Sequence, residues 1–125
     1  MSFFQGHSGA FQSKVVDWLR ACFGDVSRDR EERTHRFLEE AIELAQASGC
    51  SKLAAMQLVD YVYSRPKGEI DQEVGGVKVT LAGLCSASDI DMQEAADHEL
   101  ARNWDRIADI RAKRAAKRKG SPLPK

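Results

Sequence analysis

Cysteine is scarce in this chain and never closely paired: Cys22, Cys50 and Cys85 are far apart, odd in number and form no C-x-x-C. That spacing argues against zinc and for reduced thiols in or near a core, in a reducing compartment. Aromatic residues are also few, at 7%, while Ala, Leu and Val abound, a balance that favours helices packed on helices over a β-sandwich. No apolar run approaches the roughly 20 residues needed to span a bilayer. The N-terminus lacks a basic start followed by an apolar stretch, so no secretory signal is read. The expectation is a soluble, cytoplasmic protein with no membrane partner.

Net charge is absent as well. Nineteen Lys and Arg balance nineteen Asp and Glu, so total charge points to no partner. Its distribution says more. From Arg111 to Lys125 there are seven basic residues and no acidic one, leaving 12 basic against 19 acidic residues in the rest of the chain. An acidic body with a basic tail suits a metal together with a phosphate-bearing ligand. A solvated helix end explains the tail equally well.

At 125 residues the chain is expected to be one all-α domain spanning 1–125, with a loose lead-in over 1–10 and a basic tail over 111–125. The spacing of apolar residues predicts about five helices. The first, about Phe11 to Phe23, places Val15, Trp18, Leu19 and Cys22 on one face and stops at Gly24. The second runs from about Arg28 to Ala47, with Ser27 as N-cap and Gly49 as the stop. Beside its apolar arc lies a polar stripe of Arg33, Arg36, Glu40 and Glu43. The third extends from Ser51 to about Ser64, before the break at Arg65-Pro66-Lys67-Gly68. The fourth, about Ile70 to Ala87, is apolar around most of its circumference, which predicts burial. The fifth starts near Asp91, whose spacing to Glu94 resembles a capping box, and runs into the basic tail.

Glu40 and Glu43, three residues apart, emerge from one patch of helix surface and repel each other unless a cation offsets them. Arg36 offers one such offset, and a solvated glutamate face is the commoner explanation of the pair. Glu73 adds weight to a metal, because it sits in the apolar fourth helix, with Glu69 one turn earlier on the same stripe. Carboxylates are rarely buried unless paired or bound to metal. Hard oxygen donors without His or Cys favour Mg²⁺, with Mn²⁺ as the alternative. Such a site suits phosphoanhydride chemistry, in which Arg102, Arg106, Arg111, Lys113 and Arg114 are the candidates to hold phosphates. Each has a competing reading as a solvated or locally paired residue. Trp18, Trp104, Tyr61 and Tyr63 offer surface on which a base would stack, although Trp and Tyr at helical spacing are usually core.

The run Arg36-Phe37-Leu38-Glu39-Glu40-Ala41-Ile42-Glu43-Leu44, followed by Gly68-Glu69 and Gln72-Glu73-Val74-Gly75-Gly76-Val77, resembles the MazG-like family of all-α nucleoside triphosphate pyrophosphohydrolases. The resemblance extends from about Trp18 to Pro124. It is strongest to short, phage-associated members that end in a basic stretch and a Ser-Pro-Leu-Pro-like tail, which suggests a bacterial cell or phage-infected host. It implies Mg²⁺-dependent cleavage of a (deoxy)nucleoside triphosphate to a monophosphate and pyrophosphate. It also implies metal ligands in an E-x-x-E then E-x-x-D pattern on two antiparallel helices, and a homodimer or tetramer.

Glu40 and Glu43 fill the first pair of that pattern and Glu73 opens the second. The final aspartate position falls on Gly76, which has no donor. Glu69, Asp97 or Glu99 are the carboxylates available to replace it. The departure keeps open a second reading, a protein of the same fold that binds nucleotides without cleaving them. A nucleic-acid partner is not expected, since only one end of the chain is basic and no DNA-reading motif occurs.

Overall fold

The computed structural model describes residues 9–116, and all of the regular structure there is helical. Six α-helices follow in order: α1 (Ala10–Phe23), α2 (Arg30–Ala47), α3 (Lys52–Tyr63), α4 (Ile70–Ala87), α5 (Met92–Asp105) and α6 (Ile107–Ala115), with a 3₁₀ turn (Gly24–Arg28) between α1 and α2. The expected all-α class holds. Most of the lead-in, and the tail beyond 116 with its Ser-Pro-Leu-Pro, lie outside the described residues.

Local chemistry explains most boundaries. Gly24 ends α1 with φ +61°, a conformation that costs glycine little. The Ser51 hydroxyl accepts the Ala54 N–H at 3.1 Å and caps α3, and Asp91 Oδ1 accepts the Glu94 N–H at 2.8 Å and caps α5. The cap of α2 differs from expectation. Asp29 Oδ1 accepts the Glu32 N–H at 3.2 Å, whereas Ser27 is buried within the 3₁₀ turn. The fifth predicted helix is in fact two, because the backbone at Arg106 (φ −114°, ψ 16°) leaves the helical range and its N–H turns back to the Asn103 carbonyl.

The chain divides into two compact units. One comprises Met1–Phe37 with Asp97–Lys125, and the other Leu38–Ala96. In the first, α1 packs against the 3₁₀ turn and against α6. Trp18 and Cys22 are buried there, and the edge of one ring meets the face of the other between Trp18 and Phe23, at 5.9 Å and 82°.

The second unit holds α3 and α4, and neither has a buried residue. Leu53, Met56, Leu58, Val59 and Val62 of α3 and Ile70, Val74 and Val79 of α4 are all exposed, Val79 by 72%. The burial expected of α4 from its apolar circumference is therefore not reached within one chain. Sequence pattern dictates that such a face be covered, but not that the same chain must cover it.

Candidate metal and phosphate sites

The acidic candidates lie on α2 and at the start of α4. Glu40 and Glu43 are both exposed, one helical turn apart on α2. Glu69 is the N-cap residue of α4 and Glu73 lies in its first turn, also exposed. Glu73 was expected to be buried; its exposure removes burial as a reason for it to need a cation. Its carboxylate instead turns back over the preceding loop, where a Cβ built on Gly68 would fall on Glu73 Oε2. Gly68 thus leaves the space that the carboxylate occupies. Gly76, at the position of the expected aspartate, has nothing near the place where a side chain would begin.

Among the described residues no three His, Cys, Asp or Glu side chains gather closely enough to hold a metal. Mg²⁺ does not require such a cage, since it is commonly held by one or two carboxylates together with waters and substrate phosphates. Two glutamates at i,i+3 on a helix are a donor set of that kind, and their hard oxygens suit it.

The five basic candidates part company. Arg111 Nε donates to the Cys22 carbonyl at 2.7 Å, satisfying one of the carbonyls that α1 leaves open at its end. Arg114 donates from Nε and Nη2 to the two oxygens of Glu32 at 2.6 and 2.9 Å. Arg102 forms an exposed ion pair with Glu99 at 3.2 Å. Arg106 is half-buried at the α5–α6 break, and Lys113 is exposed on α6.

Sequence reasoning missed Glu32. Only 9% exposed, it is the focus of the first unit's electrostatics. Hydrogen bonds from Arg114 hold its carboxyl below the usual carboxylate range, with burial opposing and Arg33 and Arg36 adding to the effect. Arg33 lies 4.7 Å above the Phe23 ring and Arg114 lies 5.8 Å from the same centroid. Burial pushes the Cys22 thiol up, against the pull of Arg111, Arg33, Arg36 and Arg114. The sequence signalled only its place in a helix cap, Asp29-x-x-Glu32, matching Asp91 to Glu94; its pairing with Arg114 has no local signal.

The aromatic candidates also separate. Trp18 is core, while Trp104 lines an open groove of about 470 Å³ with Lys14, Asp17, Asp97, Leu100 and Ala101. Tyr61 and Tyr63 are exposed on α3, and Arg65 lies 5.1 Å from the Tyr61 centroid. No described helix is long and apolar enough to cross a membrane. Comparison with protein-family models, with curated proteins and with solved structures finds no match to the chain.

Proposed function

We propose that the protein is a MazG-like, Mg²⁺-dependent pyrophosphohydrolase that cleaves a (deoxy)nucleoside triphosphate to its monophosphate and pyrophosphate. The observation that carries this reading is that α2 exposes Glu40 and Glu43 one helical turn apart, a pair of hard oxygen donors open to a ligand. In this reading Glu40 and Glu43 hold Mg²⁺, or Mn²⁺, with Glu73 and Glu69 approaching from an antiparallel α4. Bound there, the ion supplies charge neutralisation at the phosphate oxygens and a more acidic water. A carboxylate outside its coordination shell would accept the proton of the attacking water.

The same proposal includes a homodimer or tetramer. Its support is the apolar surface of α3 and α4, where Leu53 is 67% and Val62 58% exposed. Surface of that kind marks an interface, and an obligate one resembles a domain core cut in half. A second copy laid on it would bring further carboxylates toward a pair that one chain leaves short of three donors.

Gly76 favours one further reading, nucleotide binding without cleavage, because the residue in the expected aspartate position has no donor. Release of pyrophosphate from the common triphosphates, with Mg²⁺ and with excess chelator, separates the two. Mg²⁺-dependent turnover that is lost in both Glu40→Gln and Glu73→Gln supports the enzyme. Tight Mg²⁺-dependent binding with no turnover on any triphosphate supports the binding protein instead.

A further inference from the structure

The first unit concentrates guanidinium groups. Arg33, Arg36, Arg111 and Arg114 all act electrostatically on Cys22, and the carboxylates acting on Arg33 and Arg114 are Glu32 and Asp29. Asp29 is occupied at the cap of α2, where Oδ1 accepts the Glu32 N–H. Both oxygens of Glu32 are taken by Arg114.

Arg33 forms only a long ion pair there, Nη2 to Glu32 Oε1 at 3.5 Å, and its Nε and Nη2 are buried with no hydrogen-bond acceptor. Burial, with Arg36 and Arg114 nearby, pushes its guanidinium pKa down. Buried donors in native proteins are nearly always satisfied, so these N–H groups are open to an acceptor.

As it is placed here, the Glu32 carboxylate is turned into the Arg114 fork and reaches Arg33 only at 3.5 Å, leaving Arg33 Nε and Nη2 without a hydrogen bond. A phosphate group has three terminal oxygens and up to two charges, so it can take the Arg114 fork and the Arg33 N–H groups together. We propose that the Arg33–Arg114 cluster is a phosphate-binding site, and that Glu32 is an internal carboxylate which the phosphate displaces. Arg114, with a side chain 37% exposed, is the side through which the anion enters. Displacement needs only the Glu32 side chain to rotate, since its backbone N–H stays on Asp29. The phosphate comes either from free phosphate or pyrophosphate, or from the end of a nucleotide.

The site owes nothing to the carboxylates of α2 and α4, so its test omits divalent cations. Full-length protein is titrated calorimetrically with inorganic phosphate, pyrophosphate and a non-hydrolysable nucleoside triphosphate. Arg33→Lys keeps the charge and loses the planar donors, and should weaken the anion by roughly tenfold. Glu32→Gln removes the competing charge and should tighten it several-fold. A merely structural Glu32 would not give that opposite sign. Should Glu32→Gln unfold, Glu32→Asp draws the carboxylate away from Arg114 and carries the same expectation.

With divalent cations omitted, this titration is read apart from Mg²⁺-dependent turnover, so failure here is distinguishable from failure of the proposed hydrolase. Tightening confined to the triphosphate assigns the site to nucleotides, and tightening of all three anions assigns it to free phosphate and pyrophosphate as well. Unchanged affinity in Arg33→Lys, or weaker binding in the Glu32 variant, overturns the proposal.

Discussion

Arg114 grips Glu32 with both prongs of its guanidinium, at 2.6 and 2.9 Å, and so ties α6 to the first turn of α2 across 82 residues of sequence. Those hydrogen bonds hold the Glu32 carboxyl below its usual range. A group whose pKa is lowered by folding contributes stability above its unfolded value and loses it as pH falls through its folded value. Glu32→Gln is therefore expected to cost about 1–3 kcal/mol near neutral pH. The lower end is favoured because the Arg114 side chain is 37% exposed and screened by solvent. As pH drops below about 4.3, the ordinary glutamate value, the two proteins should converge in stability. Urea melts across that range check this, and a gap that stays constant with pH would contradict the pairing.

The Phe23 ring is flanked by Trp18, nearly perpendicular to it with centroids 5.9 Å apart, and by the Arg33 guanidinium at 4.7 Å. Phe23→Leu keeps most of the apolar volume and loses the π face. The expected cost is about 1–2 kcal/mol, the sum of one aromatic pair and one partly buried cation–π contact. Thermal melts followed by tryptophan fluorescence measure it. No change in midpoint would mean that the ring serves only as bulk.

The helices were legible because their punctuation is local. Gly24, Ser51 and Asp91 act within a few residues of themselves, and the sequence bounds of α4, Ile70 to Ala87, were read directly. The cap of α2 was misplaced at Ser27 because Ser and Asp compete for the same role, and only the three-dimensional turn assigns it to Asp29. The break at Arg106 has no Gly or Pro to announce it. In the candidate site, i,i+3 spacing alone places Glu40 beside Glu43. Whether α4 brings Glu73 to them depends on helix packing that a sequence does not encode locally. Glu32 was overlooked because a glutamate among arginines looks like a solvated face until Arg114 arrives from far along the chain.

Gly68 and Glu73 give a narrower prediction. A Cβ on Gly68 would displace the end of the Glu73 side chain, which is flexible and exposed. Gly68→Ala should therefore change stability by no more than about 0.5 kcal/mol. If Glu73 helps to hold Mg²⁺, the same variant should shift half-saturation by Mg²⁺ in the pyrophosphate assay several-fold upward. A Mg²⁺ titration identical to the wild type would remove Glu73 from the ligand set.

The apolar faces of α3 and α4 make the last prediction. Val79 is 72% and Leu53 67% exposed, and each would keep about 1.5–3 kcal/mol of burial unrealised if nothing covered it. Several such residues on adjacent elements favour association over an isolated chain. Sedimentation velocity should therefore find a dimer or larger assembly at micromolar concentration. Leu53→Glu with Val79→Glu should shift it toward the single chain, because charged groups in an apolar contact lose their water without gaining partners. Unfolding of the wild type should become harder as its concentration rises, whereas unfolding of the double variant should not depend on concentration. If pyrophosphohydrolase activity exists and needs the second copy, it should fall with the assembly. A wild type that sediments as a single chain would leave these faces without a purpose in the proposed reading.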